Sequence, residues 1–167
     1  MNIALIGFMA TGKSTVGRIL ADRLGYMFVD TDEEIVRRTG LEIAEIFTSE
    51  GETVFRGLEM RVVAEASASE KTVIACGGGV ALDKGNVDAL RSTSRLILLT
   101  ANVDEILNRV KGDTSRPLLN VGDREKAVTV RLEERMPHYL KAADAIVDTT
   151  GSTPKEVAER VAQLMEA

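Results

Sequence analysis

The stretch Gly7–Thr15 has the residue types and spacing of a phosphate-binding loop, G-x-x-x-x-G-K-[ST]. Glycines let such a backbone curl until successive N–H groups point into one concavity. A helix that begins there adds its unpaired N–H groups and the positive end of its dipole. In this pattern Lys13 reaches the β- and γ-phosphates of a nucleotide, and the Ser14 hydroxyl binds Mg²⁺. The spacing therefore predicts a phosphate site with a metal ion beside it.

The residues on both sides of this loop fit the strand and the helix that the motif requires. An apolar run, Met1–Ile6, precedes the loop. After the loop, apolar residues recur at helical spacing, at Val16, Ile19, Leu20 and Leu24. The alternative is a glycine-rich turn that matches the motif by chance, and this context argues against it.

Length and composition limit the class of protein. The chain has 167 residues, of which 44% are hydrophobic, and this predicts a single domain, 1–167. Few aromatic residues and a net charge of −5 argue against a nucleic-acid or anionic-membrane partner. The single cysteine, Cys76, is compatible with a reducing cytosol, and we expect it at a buried strand end. Without a basic leader or a spanning apolar run, the chain is predicted to be cytoplasmic.

Short apolar runs alternate with helical patterns along the chain. The runs do not alternate polar with apolar residues, as is typical of strands buried on both faces of a parallel sheet. The pattern predicts βαβ units and a three-layer, doubly wound α/β fold. The predicted strands are Ile3–Ile6, Met27–Val29, Val73–Cys76, Leu96–Leu99 and Ala145–Val147.

The helices between these runs have recognisable starts and one long interruption. Thr31 and Glu34 form a capping-box pattern that predicts a helix start. The region 111–124 has little periodicity and predicts a mobile loop, a candidate lid, before a helix over 125–135. The long helix after Gly51 has a predicted inner face of Val54, Phe55, Leu58, Val62 and Val63.

Asp30 and Asp32 stand where the second predicted strand ends. Ligands of parallel sheets bind at the carboxyl ends of strands, and many phosphate-loop enzymes place a second Mg²⁺-holding Asp there. Asp30 is therefore the best candidate for holding Mg²⁺ through water, and Asp32 for orienting or deprotonating an acceptor hydroxyl. The alternative for both residues is neutralisation of the helix dipole in the first turn.

Three glycines and three arginines are further candidates. Gly77–Gly79 follows a strand and indicates a close approach to the backbone, either by a substrate or in a tight packing turn. By spacing alone, Arg56 and Arg135 read as solvated surface charges. Arg116 lies in the candidate lid, from which an arginine can stabilise a transferring phosphoryl group.

Taken in order along the chain, these motifs resemble those of shikimate kinase, a small enzyme of the nucleoside-monophosphate-kinase-like P-loop group. The resemblance covers nearly the whole chain, and the ordered set is far more specific than the loop alone. The matching residues are Gly7–Met9, Thr11–Thr15, Phe28–Asp32, Ile46–Phe47, Gly51–Glu52, Phe55–Arg56, Gly77–Gly79, Arg116–Leu119, Arg135, Pro137, Tyr139 and Val147–Thr149.

The resemblance implies ATP-dependent phosphorylation of the 3-hydroxyl of shikimate, in aromatic amino-acid biosynthesis, with Mg²⁺ as cofactor. It implies a parallel sheet in the order 2-3-1-4-5, a shikimate-binding region over about 32–62 and a lid over about 111–124, and we expect a monomer. The residues implied in catalysis are Lys13, Asp32 and Arg116. Those implied in ATP binding are Ala10, Thr11, Gly12, Lys13, Ser14, Thr15, Arg109, Arg116 and Pro154. Those implied in shikimate binding are Asp32, Arg56, Gly77, Gly78, Gly79 and Arg135, and those for the metal are Ser14 and, through water, Asp30.

Two positions depart from the family pattern, and two other functions compete. Ala10 stands where the family often has Gly, and His138 stands where it usually has an apolar residue; we expect His138 to be a structural or surface residue.

A gluconate-type kinase shares the phosphate loop and the size, but not the ordered set. A non-catalytic kinase-like binding protein should have lost Lys13, Asp32 or an anion-holding arginine, and none is lost.

Overall fold

A five-stranded parallel sheet forms the centre of the molecule, as the resemblance implies. The computed structural model describes residues 1–111 and 123–167. The strand order is β2-β3-β1-β4-β5, and Leu5 in the central strand pairs with Ala75 on one side and Ile97 on the other. The strands are β1 Asn2–Ile6, β2 Met27–Asp30, β3 Thr72–Ala75, β4 Ser94–Thr100 and β5 Ala145–Asp148.

Helices follow the strands and cover both faces of this sheet. A single 3-10 turn, Val80–Leu82, lies between β3 and the next helix. The described helices are α1 Lys13–Leu24, α2 Thr31–Thr39, α3 Ile43–Ser49, α4 Glu52–Ser67, α5 Lys84–Thr93, α6 Val103–Val110, α7 Arg124–Ala142 and α8 Pro154–Glu166. In the described part of the chain, none is long and apolar enough to span a bilayer.

The two faces of the sheet have separate cores, because successive side chains of a strand point to opposite faces. In β1, Ile3 and Leu5 pack toward α1 and α8, whereas Ala4 and Ile6 pack toward the other layer of helices. A third, smaller core lies away from the sheet, between α2, α3 and α4. It contains Ile35, Ile46, Phe55 and Val62.

The helix α7 differs from its prediction at both ends. Arg124, assigned to the loop, is its first residue, and the helix continues past Pro137 to Ala142 instead of ending near Arg135. A proline inside a helix costs about 3 kcal/mol, which is why the sequence favours a stop there. Burial of Tyr139, which is only 1% exposed, stabilises the continuation.

Gly17 tests how closely α1 packs on the sheet. A Cβ at Gly17 would lie 2.6 Å from a ring carbon of Phe28, whereas a Cβ at Gly57, also inside a helix, would meet nothing within 4 Å. Replacing Gly by Ala gains about 1 kcal/mol of helix propensity at either position, but overpacking costs about 1–3 kcal/mol at the first.

We therefore expect Gly17→Ala to lower the free energy of unfolding by about 1 kcal/mol. We expect Gly57→Ala to raise it by about the same amount. Urea denaturation of the two variants beside the parent measures both. Equal stabilisation of both variants would show that the contact between α1 and Phe28 is loose.

Candidate active site

An open cleft of about 1290 Å³ runs along the carboxyl edge of the sheet. It is lined by all of the predicted site residues that fall within the described part of the chain. Arg116 lies outside the described residues, as does nearly all of the predicted lid. The predicted residues that line the cleft are Ala10, Thr11, Gly12, Lys13, Ser14, Thr15, Asp30, Asp32, Arg56, Gly77, Gly78, Gly79, Arg109, Arg135 and Pro154.

The phosphate loop passes from β1 to α1 through a narrow space beside β4. Gly7 has a φ of 141°, and a Cβ there would lie 2.4 Å from the Leu99 carbonyl oxygen. Gly12, at the N-cap of α1, has a φ of 93°. Both positions need glycine for backbone reasons, and the resulting curl exposes the N–H groups at the start of α1 to the cleft.

Lys13 is held inside the curl of this loop. Its side-chain ammonium is buried and donates to the Gly7 carbonyl at 2.8 Å and to the Phe8 carbonyl at 2.6 Å. The Thr11 hydroxyl also donates to the Phe8 carbonyl, at 2.8 Å. These contacts keep one positive charge beside the N–H groups that would receive a phosphate.

Ala10 adopts the left-handed conformation, with a φ of 59°, which residues other than glycine rarely adopt. Its carbonyl accepts a hydrogen bond from Arg109 Nη1 at 2.8 Å. The same guanidinium donates to the Thr149 hydroxyl at 3.2 Å and to Glu105 at 3.0 Å. Arg109 therefore ties the phosphate loop to the loop between β5 and α8, where Pro154 is the first residue of α8.

Asp30 links the end of β2 to the phosphate loop. Its Oδ2 accepts a hydrogen bond from the Ser14 hydroxyl, and its Oδ1 accepts from the backbone N–H groups of Asp32 and Glu33 at 3.0 Å each. A hydroxyl and a carboxylate are oxygen ligands of the kind that Mg²⁺ prefers. In residues 1–111 and 123–167, no three or more His, Cys, Asp or Glu side chains are grouped so that they could hold a metal ion by themselves.

The start of α2 corrects one prediction. Asp30, not Thr31, caps the helix with its side chain, which is the helix-terminus role considered for it. The Thr31 hydroxyl instead accepts a hydrogen bond from the Gly77 backbone N–H at 2.8 Å. This bond fixes the loop after β3 against α2, so Asp32 and the glycines face the same space.

The three glycines after β3 are explained by the charged side chains that approach them. A Cβ at Gly77 would lie 2.6 Å from Asp32 Oδ1, and one at Gly79 would lie 2.2 Å from a nitrogen of Arg56. At Gly78 the nearest atom is Arg135 Nη1, at 3.3 Å. The backbone is therefore bare where side chains of α2, α4 and α7 converge, and the close approach seen at these glycines is made by charged side chains of the protein itself.

Arg135 is not the solvated charge that its spacing suggests. It is only 6% exposed, and its guanidinium carbon lies 6.0 Å from the centre of the Phe8 ring. One turn later, the Tyr139 hydroxyl donates to the Gly78 carbonyl at 2.6 Å. The extension of α7 past Pro137 thus holds in place both Arg135 and the loop Gly77–Gly79, which we call the glycine loop. His138, by contrast, lies on the exposed side of α7, as predicted.

Arg56 projects from α4 into the same space and is held by two carboxylates. Its Nη1 donates to Glu59 at 2.9 Å, and its Nη2 donates to Glu52 at 3.3 Å. The two acids differ in environment, because the Glu52 side chain is 59% exposed and that of Glu59 is 1% exposed. Arg56 is therefore a partly buried cation at the edge of the cleft.

Glu59 is the site residue that the sequence analysis missed. It occupies the buried face of α4, and Val54, predicted on that face, is 44% exposed. Burial raises the pKa of Glu59 to about 7, against the opposing effect of Arg56, while the nearby charge of Asp32 raises it further. The sequence did contain a signal for this residue, because Glu59 falls on the same face of the helix as Phe55 and Val62. Acidic residues are rarely buried unless they are paired.

This buried acid makes the stability of the protein depend on pH. The unfolded chain releases the Glu59 proton at about pH 4.5, whereas the folded protein keeps it to about pH 7. The folded state therefore binds more protons between these values, and its stability falls as the pH rises through them. A glutamine at this position has a neutral amide that does not ionise, so it removes this fall in stability with rising pH.

We expect Glu59→Gln to raise the free energy of unfolding relative to the parent by up to about 3 kcal/mol more at pH 8 than at pH 5. Denaturation of both proteins at these two pH values measures the difference. Glu52→Gln, which alters the exposed partner of the same arginine, should show no such trend. A constant difference between Glu59→Gln and the parent would contradict the assignment.

Comparison with known proteins agrees with this geometry. The family model described as shikimate kinase matches residues 9–166. The shikimate kinase of Thermodesulfovibrio yellowstonii is 45% identical over 160 residues, which cover 96% of this chain and 92% of that protein. The shikimate kinase of Moorella thermoacetica is 41% identical over 166 residues, covering 99% and 95% of the two chains.

Solved structures match the fold across nearly the whole chain. A structure of shikimate kinase from Acinetobacter baumannii in complex with shikimate is 37% identical, with a TM-score of 0.96, and the match covers 99% of this chain and 92% of that one. The enzyme of Aquifex aeolicus, also 37% identical, has a TM-score of 0.86, with coverage of 99% and 96%. From the family match and these relatives, we conclude that this chain belongs to the shikimate kinase family and is a kinase that acts on shikimate.

Proposed function

We propose that this chain transfers the γ-phosphoryl group of ATP to the 3-hydroxyl of shikimate within the cleft, with Lys13, Asp32, Arg56 and Arg135 in the central roles. The observation that carries the proposal is the arrangement of charge along the cleft. A phosphate loop lies at one end, and at the other end Arg56, Arg135 and Asp32 lie beside the bare backbone of three glycines. The Acinetobacter baumannii relative of the same fold was solved with shikimate bound.

The nucleotide end is formed by the loop, α6 and the start of α8. The N–H groups of residues 10–15 receive the phosphates, and Lys13 neutralises charge on the group in transfer. Arg109 and Pro154 flank the adenine, and Arg109 is already oriented by Thr149 and Ala10. Ser14 and, through water, Asp30 hold Mg²⁺, which when bound neutralises charge on the β- and γ-phosphates.

The acceptor end is formed by α2, α4, α7 and the loop after β3. The helices α2 and α4 belong largely to the proposed shikimate-binding region of about 32–62, and the other two elements lie outside it. Shikimate carries a carboxylate, whereas the chain has a net charge of −5, so specific cations have to bind it. Arg56 and Arg135 supply them, and a guanidinium can pair with both oxygens of a carboxylate. Gly77–Gly79 let the ring approach the backbone.

The reaction then needs little covalent chemistry from the protein. The 3-hydroxyl oxygen attacks the γ-phosphorus, the bond to the bridging oxygen breaks, and ADP leaves. Asp32, which faces Gly77, orients the hydroxyl and accepts its proton. Because water is a competing acceptor, the cleft has to be closed during transfer, and we propose that the lid with Arg116 does so.

Rival acceptors are tested directly by a coupled assay for ADP release. With ATP and Mg²⁺ present, we expect turnover with shikimate and little with gluconate or nucleoside monophosphates. The family match already disfavours a gluconate-type kinase and a non-catalytic binding protein. The monomeric state and the cytoplasmic location stay predictions.

The two acceptor arginines can be tested by a substitution that keeps the charge. We expect Arg56→Lys and Arg135→Lys each to raise the KM for shikimate about ten- to a hundredfold, because an ammonium loses the planar pairing with a carboxylate. The KM for ATP should change far less. Arg131→Lys is the matched control, since Arg131 lies one turn before Arg135 and is 41% exposed.

Steady-state kinetics with each substrate varied in turn measure these effects. A parallel test uses an analogue of shikimate that lacks the carboxylate, which should be a poor acceptor for the parent enzyme. If both lysine variants matched the parent at every shikimate concentration, the arginines would not bind the acceptor and its identity would have to be revised.

The phosphate loop is tested at Lys13. We expect Lys13→Met to lower turnover at least about a hundredfold, because its charge acts on the phosphoryl group in the transition state. Lys84→Met, at a lysine that is 87% exposed, should keep normal turnover. Circular dichroism and urea denaturation check that both variants fold, and near-normal turnover of folded Lys13→Met would remove this lysine from catalysis.

A further inference from the structure

The two oxygens of the buried Glu59 carboxyl differ in their contacts: one accepts a hydrogen bond, and the other is buried without one. Its Oε1 accepts the hydrogen bond from Arg56 Nη1 at 2.9 Å. Its Oε2 is buried and has no hydrogen-bond partner among the residues that the structure describes. A buried carboxylate oxygen without a donor is costly, whereas a protonated one is not charged. The second oxygen is therefore the natural place for a proton.

The groups around Glu59 come from every element that packs against it. Arg56 faces it from its own helix, Asp32 from α2 and Arg135 from α7, and all three influence its ionisation. The Cys76 thiol and the Tyr139 hydroxyl also lie within range of its charge, but burial raises the pKa of both, so they stay neutral near pH 7. The two cations Arg56 and Arg135 thus face the carboxylate of Asp32 and, when Glu59 is ionised, its carboxylate as well.

Glu59 and Asp32 meet at the glycine loop. A Cβ at Gly77 would lie 3.1 Å from Glu59 Oε2 and 2.6 Å from Asp32 Oδ1. The acceptor is proposed to bind beside these same groups, with its carboxylate on Arg56 and Arg135. Its arrival would bring a third negative charge into a space that already holds two carboxyl groups, where the low dielectric strengthens every repulsion.

We propose that Glu59 makes acceptor binding proton-coupled: its buried carboxyl takes up a proton when the acceptor's carboxylate binds beside Arg56. This inference rests on the proposed function, because it needs an anionic acceptor at the two arginines. A like charge disfavours the ionised form of a buried acid, so the bound anion and the proton favour each other. Protonation of Glu59 frees Arg56 from one counter-charge and removes one negative charge from beside Asp32.

The pH dependence of acceptor binding has a definite sign. In the protein without acceptor, burial raises the pKa of Glu59 to about 7. A bound anion raises this pKa further. Below this range Glu59 is already protonated and affinity is constant. Above it, each binding event takes a proton from solution, so the Kd for the acceptor rises by up to about tenfold per pH unit until the bound form also ionises.

Isothermal titration of the whole chain with shikimate tests this coupling. The titration is performed at about pH 7.5 in MOPS and in Tris, whose different enthalpies of ionisation reveal proton exchange with the buffer. We expect the parent to take up a fraction of a proton per shikimate bound, and folded Glu59→Gln to take up none. Glu52→Gln is the matched control, because Glu52 pairs with the same arginine but is exposed, and it should keep the uptake.

The outcomes separate this inference from the proposed function. Binding by the parent with equal heats in both buffers would overturn the proton coupling alone, as would an undiminished uptake in Glu59→Gln. No binding of shikimate by the parent would overturn the acceptor assignment, and the coupling with it. If Glu59→Gln does not fold, the parent decides: a Kd that rises above pH 7 supports the inference, and one that is constant from pH 6 to 9 contradicts it.

Discussion

The whole cleft depends on the tight passage of the chain from β1 past β4 into α1. Gly7 runs so close to the Leu99 carbonyl that no side chain fits between them. This contact aims the backbone N–H groups of the phosphate loop at the carboxyl edge of the sheet. Because β1 is the central strand, its loop lies within reach of the residues that follow β2 and β3 on one side and β4 and β5 on the other. The residues proposed for the nucleotide and those proposed for the acceptor therefore lie at one edge of the sheet.

The two ends of the cleft solve different electrostatic problems. At the nucleotide end, the positive field comes largely from backbone N–H groups and one lysine, which the chain holds with its own carbonyl oxygens. At the acceptor end, guanidinium groups are brought into a crowded space and balanced by carboxyl groups. We expect buried Glu59 to lower the stability of the protein near neutral pH, and such a cost is typical of groups retained for function.

Elements far apart in the chain are tied together by single polar contacts. Thr31 holds the glycine loop against α2, Tyr139 holds it against α7, and Arg109 joins the phosphate loop to the loop after β5. The contacts of Thr31 and Tyr139 each join a side chain to the backbone of the loop after β3, and Arg109 also donates to the Ala10 carbonyl. A rigid sheet thereby supports a site whose walls come from separate helices, and the small core of α2, α3 and α4 gives the acceptor end a support of its own.

The sequence by itself determined the strands, most helix positions, the phosphate loop and the strand-end aspartates, because each depends on patterns within a few residues. The sheet order and the pairing of Arg56 with Arg135 at one pocket came only through the family resemblance, since spacing alone read both arginines as surface charges. Tertiary structure decided that α7 continues through Pro137 and that Asp30, rather than Thr31, caps α2. It also decided why three glycines follow β3 and that Glu59 is buried. Those features depend on side chains from distant parts of the chain approaching one another, and no local pattern records such distances.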